Sequence, residues 1–323
     1  MSKNKLLLLL ALLLTAATGA WAQEPATTYS VKMKGDVKDA DKWTVKVGEG
    51  QAQALPIDGL KGDGSETVTL QYTGRLKVKD VKATSDAAAA GNTVDLSKLT
   101  ADYTAQDGDV LTGTLSAEVK ITIADGATVT LSGAVINGAN NSSYKWAGLT
   151  LAGDGTIILS GENTVKGFYE YYPGIFVPVN KTLTIQGDGS LTASSNGSGA
   201  GIGGGYSIAC GNITIEGGTV TATGGRRAAG IGGGSSASCG NISITGGTVT
   251  ATGGKYGTGI GGGSSASCGA ITIANTVTKV TATKGSGATN SIGAGDGGTC
   301  GTVTIGGNVG AMTESPYTYQ PSN

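Results

Sequence analysis

The stretch that decides the fold is Ile213-Thr-Ile-Glu-Gly-Gly-Thr-Val-Thr-Ala-Thr-Gly-Gly225, which returns 29 residues later as Ile242-Ser-Ile-Thr-Gly-Gly-Thr-Val-Thr-Ala-Thr-Gly-Gly254. Apolar and polar residues alternate on both sides of the Gly-Gly pair, which is typical of short strands with one inward and one outward face. Strands this short cannot bury an apolar face alone, but equivalent strands can stack and pair their backbones. The repeat therefore predicts a solenoid of stacked coils.

Seven copies of this pattern can be aligned within residues 119–310. Their first residues are 28, 34, 30, 29, 29 and 32 positions apart, and these are Ile121, Leu149, Leu183, Ile213, Ile242, Ile271 and Val303. A coil of about 29 residues has room for three short strands, whereas propeller blades run to about 40 residues. We therefore expect an all-β chain folded as a right-handed parallel β-helix.

The segments outside the repeats predict an exported protein with a second, smaller unit. Lys3 and Lys5 precede an apolar run that ends in the Ala20-Trp-Ala22 cleavage pattern, so residues 1–22 are interpreted as a signal peptide. The run is too short to cross a bilayer, which takes about 20 residues. We expect an extracellular or cell-surface protein, with the periplasm as an alternative, no membrane insertion and a monomeric state.

Composition shifts divide the rest of the chain. Residues 23–84 are lysine-rich with alternating runs and predict a small β module, and residues 85–118 are interpreted as a linker and the N-terminal cap of the helix. Residues 311–323 are polar, contain Pro316 and Pro321, and predict a flexible tail.

Charge and composition exclude several functions. The chain has no histidine, which excludes serine–histidine triads and histidine-ligated zinc. Its 22 basic and 23 acidic residues give no electrostatic case for nucleic acid binding. No run of closely spaced aspartates marks a calcium loop, so calcium is considered without assigned ligands.

Four cysteines keep one register through the repeats: Cys210, Cys239, Cys268 and Cys300. Stacked coils would align them in a ladder, and parallel Cβ vectors suit disulfide torsion poorly. We expect buried free thiols with a structural role, with a single pair as the alternative. A row of thiols is not a tetrahedral metal site.

Cationic residues predict a second column, because Arg226, Lys255 and Lys284 are spaced 29 and 29 apart, with Arg227 beside the first. Such a column could bind the acidic groups of a glycan. It could equally be a solvated turn whose charges prevent aggregation of strand edges.

Aromatic residues are concentrated in the 34-residue interval, within Phe168–Phe176. Tyr169, Tyr171 and Tyr172 are candidates for a sugar-binding platform, with Trp146 expected nearby, because flat rings contact the C–H faces of sugars. The alternative is a small satellite core that closes the side of the helix. Both can hold if Phe168 and Phe176 point inward while the tyrosines point outward.

The run from Gly108 to Gly306 resembles a family of exported parallel β-helix proteins of Gram-negative gut anaerobes, described as carbohydrate-binding-domain-like proteins or adhesins. The resemblance rests on Trp146–Val165, Lys181–Gly189 and the repeated Gly-Ile-Gly-Gly-Gly blocks followed by cysteine. It implies the β-helix architecture and makes calcium and acidic glycans worth testing. No metal ligand of the family maps onto a matching position.

Three functions follow from these observations. The first is a non-catalytic, secreted or cell-surface protein that binds a polysaccharide or a host glycan. The second is a β-helical lyase or hydrolase acting on acidic glycans, for which Arg226 and Arg227 would be the candidate bases. The third is a structural spacer. The absence of histidine and of a marked carboxylate pair favours a protein that is not an enzyme.

Overall fold

The structure is a computed structural model that describes residues 27–31, 43–47, 53–54, 57–62, 68–72 and 91–321. The chain separates into two compact units, Met1–Thr84 and Ser85–Asn323. The predicted signal peptide lies outside the described residues. In the first unit β1 (Thr27–Val31) pairs antiparallel with β4 (Ile57–Gly62), and β2 (Trp43–Val47) pairs antiparallel with β3 (Gln53–Ala54) and β5 (Val68–Tyr72).

The second unit is a parallel β-solenoid of about six turns with three faces, which confirms the predicted parallel β-helix, although seven coils were expected from the repeats. The first face contains β12 (Gly155–Ser160), β15 (Thr182–Gly187), β18 (Asn212–Ile215), β21 (Ile242–Ile244), β24 (Ile271–Ile273) and β27 (Val303–Ile305). The second contains β13 (Glu162–Lys166), β16 (Ser190–Ser194), β19 (Thr219–Thr223), β22 (Thr248–Thr252) and β25 (Lys279–Thr283). Two strands, β8 (Val110–Thr114) and the ten-residue β10 (Thr128–Asn137), run across the corner between these faces.

The third face is built from very short strands. They are β7 (Tyr103–Ala105), β9 (Ile121–Ile123), β11 (Leu149–Leu151), β14 (Ile175–Phe176), β17 (Ile202–Gly203), β20 (Ile231–Gly232), β23 (Ile260–Gly261) and β26 (Ile292–Gly293). We call the segments that lead from the second face to the third face the second turns; they are 138–148, 167–174, 195–201, 224–230, 253–259 and 284–291. The segments that lead from the third face back to the first are the third turns, among them 177–181, 204–211, 233–241 and 262–270.

The interior consists of columns of identical or similar apolar side chains. Ile213 pairs with Ile242, which pairs with Ile271, and all three are almost completely buried. Within each strand buried and partly exposed residues alternate, which confirms the inward and outward faces expected from the sequence. Each interior position is therefore covered above and below by the next coil, and this burial supplies most of the stability of the solenoid.

Glycine is required where the third face turns away from the core. Gly203, Gly232, Gly261 and Gly293 share one column and have φ between 127° and 138°. A Cβ on Gly232 would collide with the carbonyl oxygen of Gly261 in the next coil. These positions therefore need both the positive φ and the close backbone approach that glycine alone permits.

The register of the third face corrects one interpretation of the sequence. Leu149 pairs with Ile175, whereas Leu183 lies on the first face and pairs with Gly155. The 34-residue interval between Leu149 and Leu183 therefore compares two different faces and is not a longer coil. The longest second turn is 138–148, in the coil that precedes the Phe168–Phe176 segment.

The N-terminal end of the solenoid begins earlier than the predicted repeats. β6 (Thr93–Asp95) pairs in parallel with β8, and β7 pairs in parallel with β9. Between them a short 3-10 helix, Leu96–Lys98, places Leu96 in the core. Residues 93–115, expected as a cap, thus form a coil of the solenoid.

The C-terminal segment closes the other end, which differs from the flexible tail predicted for residues 311–323. β28 (Asn308–Val309) pairs antiparallel with β27, and β29 (Tyr317–Tyr319) pairs antiparallel with β25. Met312 forms an antiparallel bridge with Ile292 on the third face. Each face thus ends in antiparallel backbone pairing, which covers the edges that an open solenoid would expose.

Candidate functional site

The register of the third face aligns the second turns of successive coils. The paired isoleucines are Ile175, Ile202, Ile231 and Ile260. Four positions before each of them stand Tyr171, Ser198, Arg227 and Tyr256, in that order along the solenoid. We call these four residues the edge row. Because neighbouring strands lie about 4.8 Å apart, Tyr171 and Arg227 are separated by about 10 Å along the axis.

The third turns lie directly beside the edge row. The backbone N–H of Tyr206 donates to the carbonyl of Tyr171 at 2.7 Å, that of Ser235 donates to Ser198 at 3.1 Å, and that of Ser264 donates to Arg227 at 2.7 Å. The two sets of turns therefore form one continuous strip along the solenoid. We use the term edge strip for the edge row together with Tyr169, Tyr206, Arg226 and Lys255.

One end of the edge strip is an exposed tyrosine group. The rings of Tyr169 and Tyr171 are 4.9 Å apart, and those of Tyr171 and Tyr206 are 5.1 Å apart across neighbouring coils. Tyr171 is 40% exposed and Tyr206 is 43% exposed. Partial burial, and then the neighbouring Tyr171 and Glu170, raise the pKa of Tyr169 above its usual value.

The other aromatic residues of this region belong to the core side. Trp146 is half-buried between Tyr144 and Phe168, with ring centroids 5.3 and 5.7 Å away. Phe168 is buried as expected, but Phe176 occupies an outward, half-buried position of β14. Tyr172 is half-buried, and its carbonyl accepts a 2.8 Å hydrogen bond from the hydroxyl of Ser195. Trp146 and Tyr172 are thus packing residues more than parts of an exposed surface.

A cationic group continues the edge strip. Arg226 and Lys255 stand side by side in neighbouring coils, since each lies five positions before paired isoleucines. The Arg227 guanidinium lies 5.6 Å and the Lys255 ammonium 5.2 Å from the centre of the Tyr256 ring, and all three cations are exposed. Cation–π contacts of this kind hold the side chains at the surface without neutralising them.

Lys284 does not belong to this group, which corrects the predicted column. Thr252 pairs with Thr283, 31 residues apart, so Lys284 aligns with Gly253 and not with Lys255. Its ammonium donates to the carbonyls of Thr289 at 2.8 Å and Thr313 at 2.7 Å. Lys284 therefore fastens the C-terminal segment to the last coil.

The edge strip contains no recognisable catalytic or metal-binding arrangement within residues 91–321. The ion pairs of that part of the chain are Lys98–Asp95 at 3.4 Å and Lys181–Asp125 at 3.6 Å, so neither Arg226 nor Arg227 faces a carboxylate partner there. No group of three or more cysteine, aspartate or glutamate residues is gathered for a metal ion among the described residues.

The cysteines align as predicted, but they do not all remain free. Cys268 and Cys300 form a disulfide with a Cα–Cα distance of 4.5 Å, whereas Cys210 and Cys239 are free and buried. The structure thus has the alternative considered from the sequence, a single pair, and the expectation of free thiols holds only for Cys210 and Cys239. Stacking brings the Cα atoms of neighbouring coils within disulfide range, and the local side-chain geometry permits the bond.

Three residues of the edge strip were not identified from the sequence: Ser198 and the aromatic residues Tyr206 and Tyr256. The two tyrosines depart from their own repeat, since Tyr206 stands where the next coils have Ser235 and Ser264, and Tyr256 follows Lys255 where Arg227 follows Arg226. Aligning the copies and marking aromatic departures at outward turn positions would have identified both.

Comparisons with known proteins support the architecture alone. Three segments, residues 183–206, 213–235 and 242–264, match the family model for the beta helix repeat. No curated protein and no solved structure matches the chain. Among the described residues, no helix is long and apolar enough to cross a membrane. The fold and the repeat match together identify a parallel β-helix protein, and such repeats fit a surface or polysaccharide-related protein.

Proposed function

We propose that the protein is a non-catalytic glycan-binding or adhesion protein of the cell surface or the extracellular space, and that it binds an acidic polysaccharide along the edge strip. The observation that carries the proposal is the pair Tyr171 and Tyr206. These two exposed rings come from neighbouring coils, lie 5.1 Å apart and begin a strip that continues into Arg226, Arg227 and Lys255.

Tyrosine pairs of this kind suit carbohydrate. The ring offers an apolar surface for the C–H face of a sugar, while the phenol hydroxyl can donate to or accept from sugar hydroxyls. Large exposed aromatic side chains lose little conformational freedom when they bind, which favours weak, polar ligands. Tyr169 packs against Tyr171 and limits the movement of that ring.

The cations supply the preference for acidic sugars. Arginine binds carboxylate and sulfate groups through paired N–H donors, and Lys255 adds a second positive charge beside Arg226. A polymer that lies along the solenoid axis would reach the tyrosines and the cations together, because they are about 10 Å apart. Because the cations are exposed, each contact is weak and salt-sensitive, so we expect binding to depend on several contacts at once.

A glycan array tests the proposal, with calcium and with a chelator. We expect the full chain to bind acidic polysaccharides, and the double variant Tyr171→Ala/Tyr206→Ala to lose most of the signal. Val309→Ala is the matched control, because Val309 is exposed and apolar but lies at the C-terminal end of the solenoid. Equal binding by the tyrosine variant would remove the edge strip as the site, and binding to no glycan would indicate a structural spacer.

Catalysis is tested in the same preparations. Uronate polymers incubated with the protein should keep their chain length and give no ultraviolet absorbance from unsaturated sugar ends. Steady formation of such product, lost in Arg226→Ala or Arg227→Ala, would show a lyase and would contradict the non-catalytic function.

A further inference from the structure

The cysteine row contains a second pair with the geometry of the pair that is already bonded. The N–H of Cys268 donates to Thr299 at 2.8 Å, and the N–H of Gly301 donates back to Cys268 at 3.0 Å. One coil pair earlier, the N–H of Cys210 donates to Ser238 at 2.9 Å, and that of Gly240 donates back to Cys210 at 3.1 Å. Cys210 and Cys239 are thus joined by the same two backbone hydrogen bonds as Cys268 and Cys300, and so are Cys239 and Cys268, at 3.0 and 3.1 Å.

The order of the row determines which partners remain. Cys239 has one cysteine neighbour on each side, Cys210 and Cys268, and its backbone is bridged to that of Cys268. Because Cys268 is bonded to Cys300, the remaining partner of Cys239 is Cys210. Neighbouring strands at about 4.8 Å lie inside the Cα–Cα range of 4.4–6.8 Å that disulfides use.

The sulfur positions show the movement that closure needs. The sulfur atoms of Cys210, Cys239 and the bonded Cys268 lie near the equivalent glycine carbonyls of Gly232, Gly261 and Gly293, at 3.4, 3.6 and 3.5 Å. The bonded Cys300 instead points back to Gly269 at 3.4 Å. Rotation of Cys239 from Gly261 toward Gly211 would reproduce the arrangement of Cys300.

Cys210 and Cys239 line a surface groove of about 280 Å³, together with Val179, Asn180 and Gly211. Both side chains are largely buried, at 4% and 8% exposure, and the groove is the side from which a small disulfide reagent would approach them. Burial, with the neighbouring Cys239 as the next cause, raises the pKa of Cys210 well above its usual range, so thiolate formation is rare at neutral pH.

We infer that Cys210 and Cys239 form a second disulfide, so that the row pairs as Cys210–Cys239 and Cys268–Cys300. The oxidant is a small-molecule disulfide such as oxidised glutathione. One cysteine thiolate attacks it and releases a glutathione thiolate, and the other cysteine thiolate then attacks the mixed disulfide and releases the second. The two cysteines lose two electrons and two protons in total. One oxidised glutathione accepts all of them and becomes two molecules of reduced glutathione.

Tryptic peptide mapping tests the pairing in the full chain. Cleavage at Arg226, Arg227, Lys255 and Lys279 places Cys210, Cys239 and Cys268 in different peptides, and Lys284 separates Cys300. Reduced folded protein is exposed to oxidised glutathione, blocked with an alkylating agent and digested without reduction. We expect the Cys210 peptide linked to the Cys239 peptide, faster at higher pH. Alkylated Cys210 and Cys239, or a link between Cys239 and Cys268, would overturn the inference.

Stability supplies the second readout. Oxidation should raise the urea midpoint of the native chain more than that of Cys210→Ala or Cys239→Ala, because these variants retain only Cys268–Cys300. In reducing buffer no disulfide forms, so the increase in urea midpoint should be absent from the native chain and from both variants. An equal gain in the native chain and the two variants would contradict a second disulfide.

Discussion

The interior of the solenoid has similar residues at equivalent positions of successive coils, whereas the edge strip has different ones. Along the interior, one coil repeats the next, as in the column Ile213, Ile242 and Ile271. Along the edge row, every coil presents a different residue: Tyr171, Ser198, Arg227 and Tyr256. The same register aligns both sets. Stacking therefore restricts which residues fit at the inward positions, whereas the outward turn positions can hold residues of different chemical types.

This difference separates stability from binding. An inward side chain is covered by two neighbouring coils, so its loss leaves a cavity that the stack cannot fill. An outward side chain of the edge strip contacts mainly its neighbours in the strip and water. We therefore expect substitutions inside to unfold the protein and substitutions outside to change what it binds.

The largest effect is expected for Ile242→Ala. Ile242 is 1% exposed and packs between Ile213 and Ile271, so truncation should lower the free energy of unfolding by roughly 2–5 kcal/mol. Urea denaturation measures the change. Thr250→Ala, at an exposed position of β22 on the second face, is the control and should stay within about 0.5 kcal/mol. If Ile242→Ala lowered the free energy of unfolding by less than Thr250→Ala, the column of interior side chains would not be what stabilises the solenoid.

The second largest loss of stability is expected for Asn163→Ala. Asn163 is buried at 3% exposure beside Leu191; it accepts from the Ala134 N–H at 2.9 Å and donates to Ser190 at 3.0 Å. Truncation leaves buried backbone groups without partners and should destabilise by about 1–3 kcal/mol. Asn137→Ala, at the exposed end of β10, should have little effect on the same denaturation curve.

Acid should loosen the N-terminal coil before the rest. Burial alone would raise the pKa of Asp109, but hydrogen bonds from Tyr103, Gln106 and Asn92 outweigh it and lower the pKa. The carboxylate therefore stabilises the fold above its unfolded pKa of about 3.9, and this contribution disappears as pH falls through the lower folded value. Hydrogen exchange of residues 92–114 should increase on acidification, and Asp109→Asn should reduce that pH dependence to the part contributed by Asp95, whose pKa is lowered by hydrogen bonds from Ser97. Uniform acid loosening of all coils would contradict this.

The smallest effect on stability is expected in the edge strip. Tyr256→Ala removes the cation–π contacts with Arg227 and Lys255, which are worth about 0.5–1 kcal/mol at exposed sites. Ser198→Ala, in the same row, is the control and should be neutral. A loss for Tyr256→Ala larger than that for Asn163→Ala would mean that the strip holds the fold together.

The fold could be predicted because several copies of the repeat are nearly identical in sequence. The copies that begin at Ile213, Ile242 and Ile271 give the strand register found in the structure. The weaker copies could not be registered, because Leu149 and Leu183 begin similar patterns on different faces. The edge strip was predicted in part, through Tyr169, Tyr171, Arg226, Arg227 and Lys255. Tyr206 was missed because it lies far from Tyr171 in sequence and only the coil register brings them together. Lys284 was misplaced because the register between β22 and β25 is 31 residues and not 29.

If the edge strip binds acidic glycan while the interior stabilises the fold, substitutions in the strip should change binding and leave stability nearly unchanged. Calorimetric titration with polygalacturonate measures this, comparing the native chain with Arg226→Ala/Arg227→Ala at low and moderate salt. Losing two exposed charged contacts, each worth about 0.2–1 kcal/mol, should weaken binding roughly 2- to 30-fold at low salt and less at moderate salt, with little change in the thermal midpoint. Lys279→Ala, an exposed lysine on the second face, should bind like the native chain. Equal affinity of all three proteins, or no binding by the native chain, would show that the edge strip does not bind this acidic glycan.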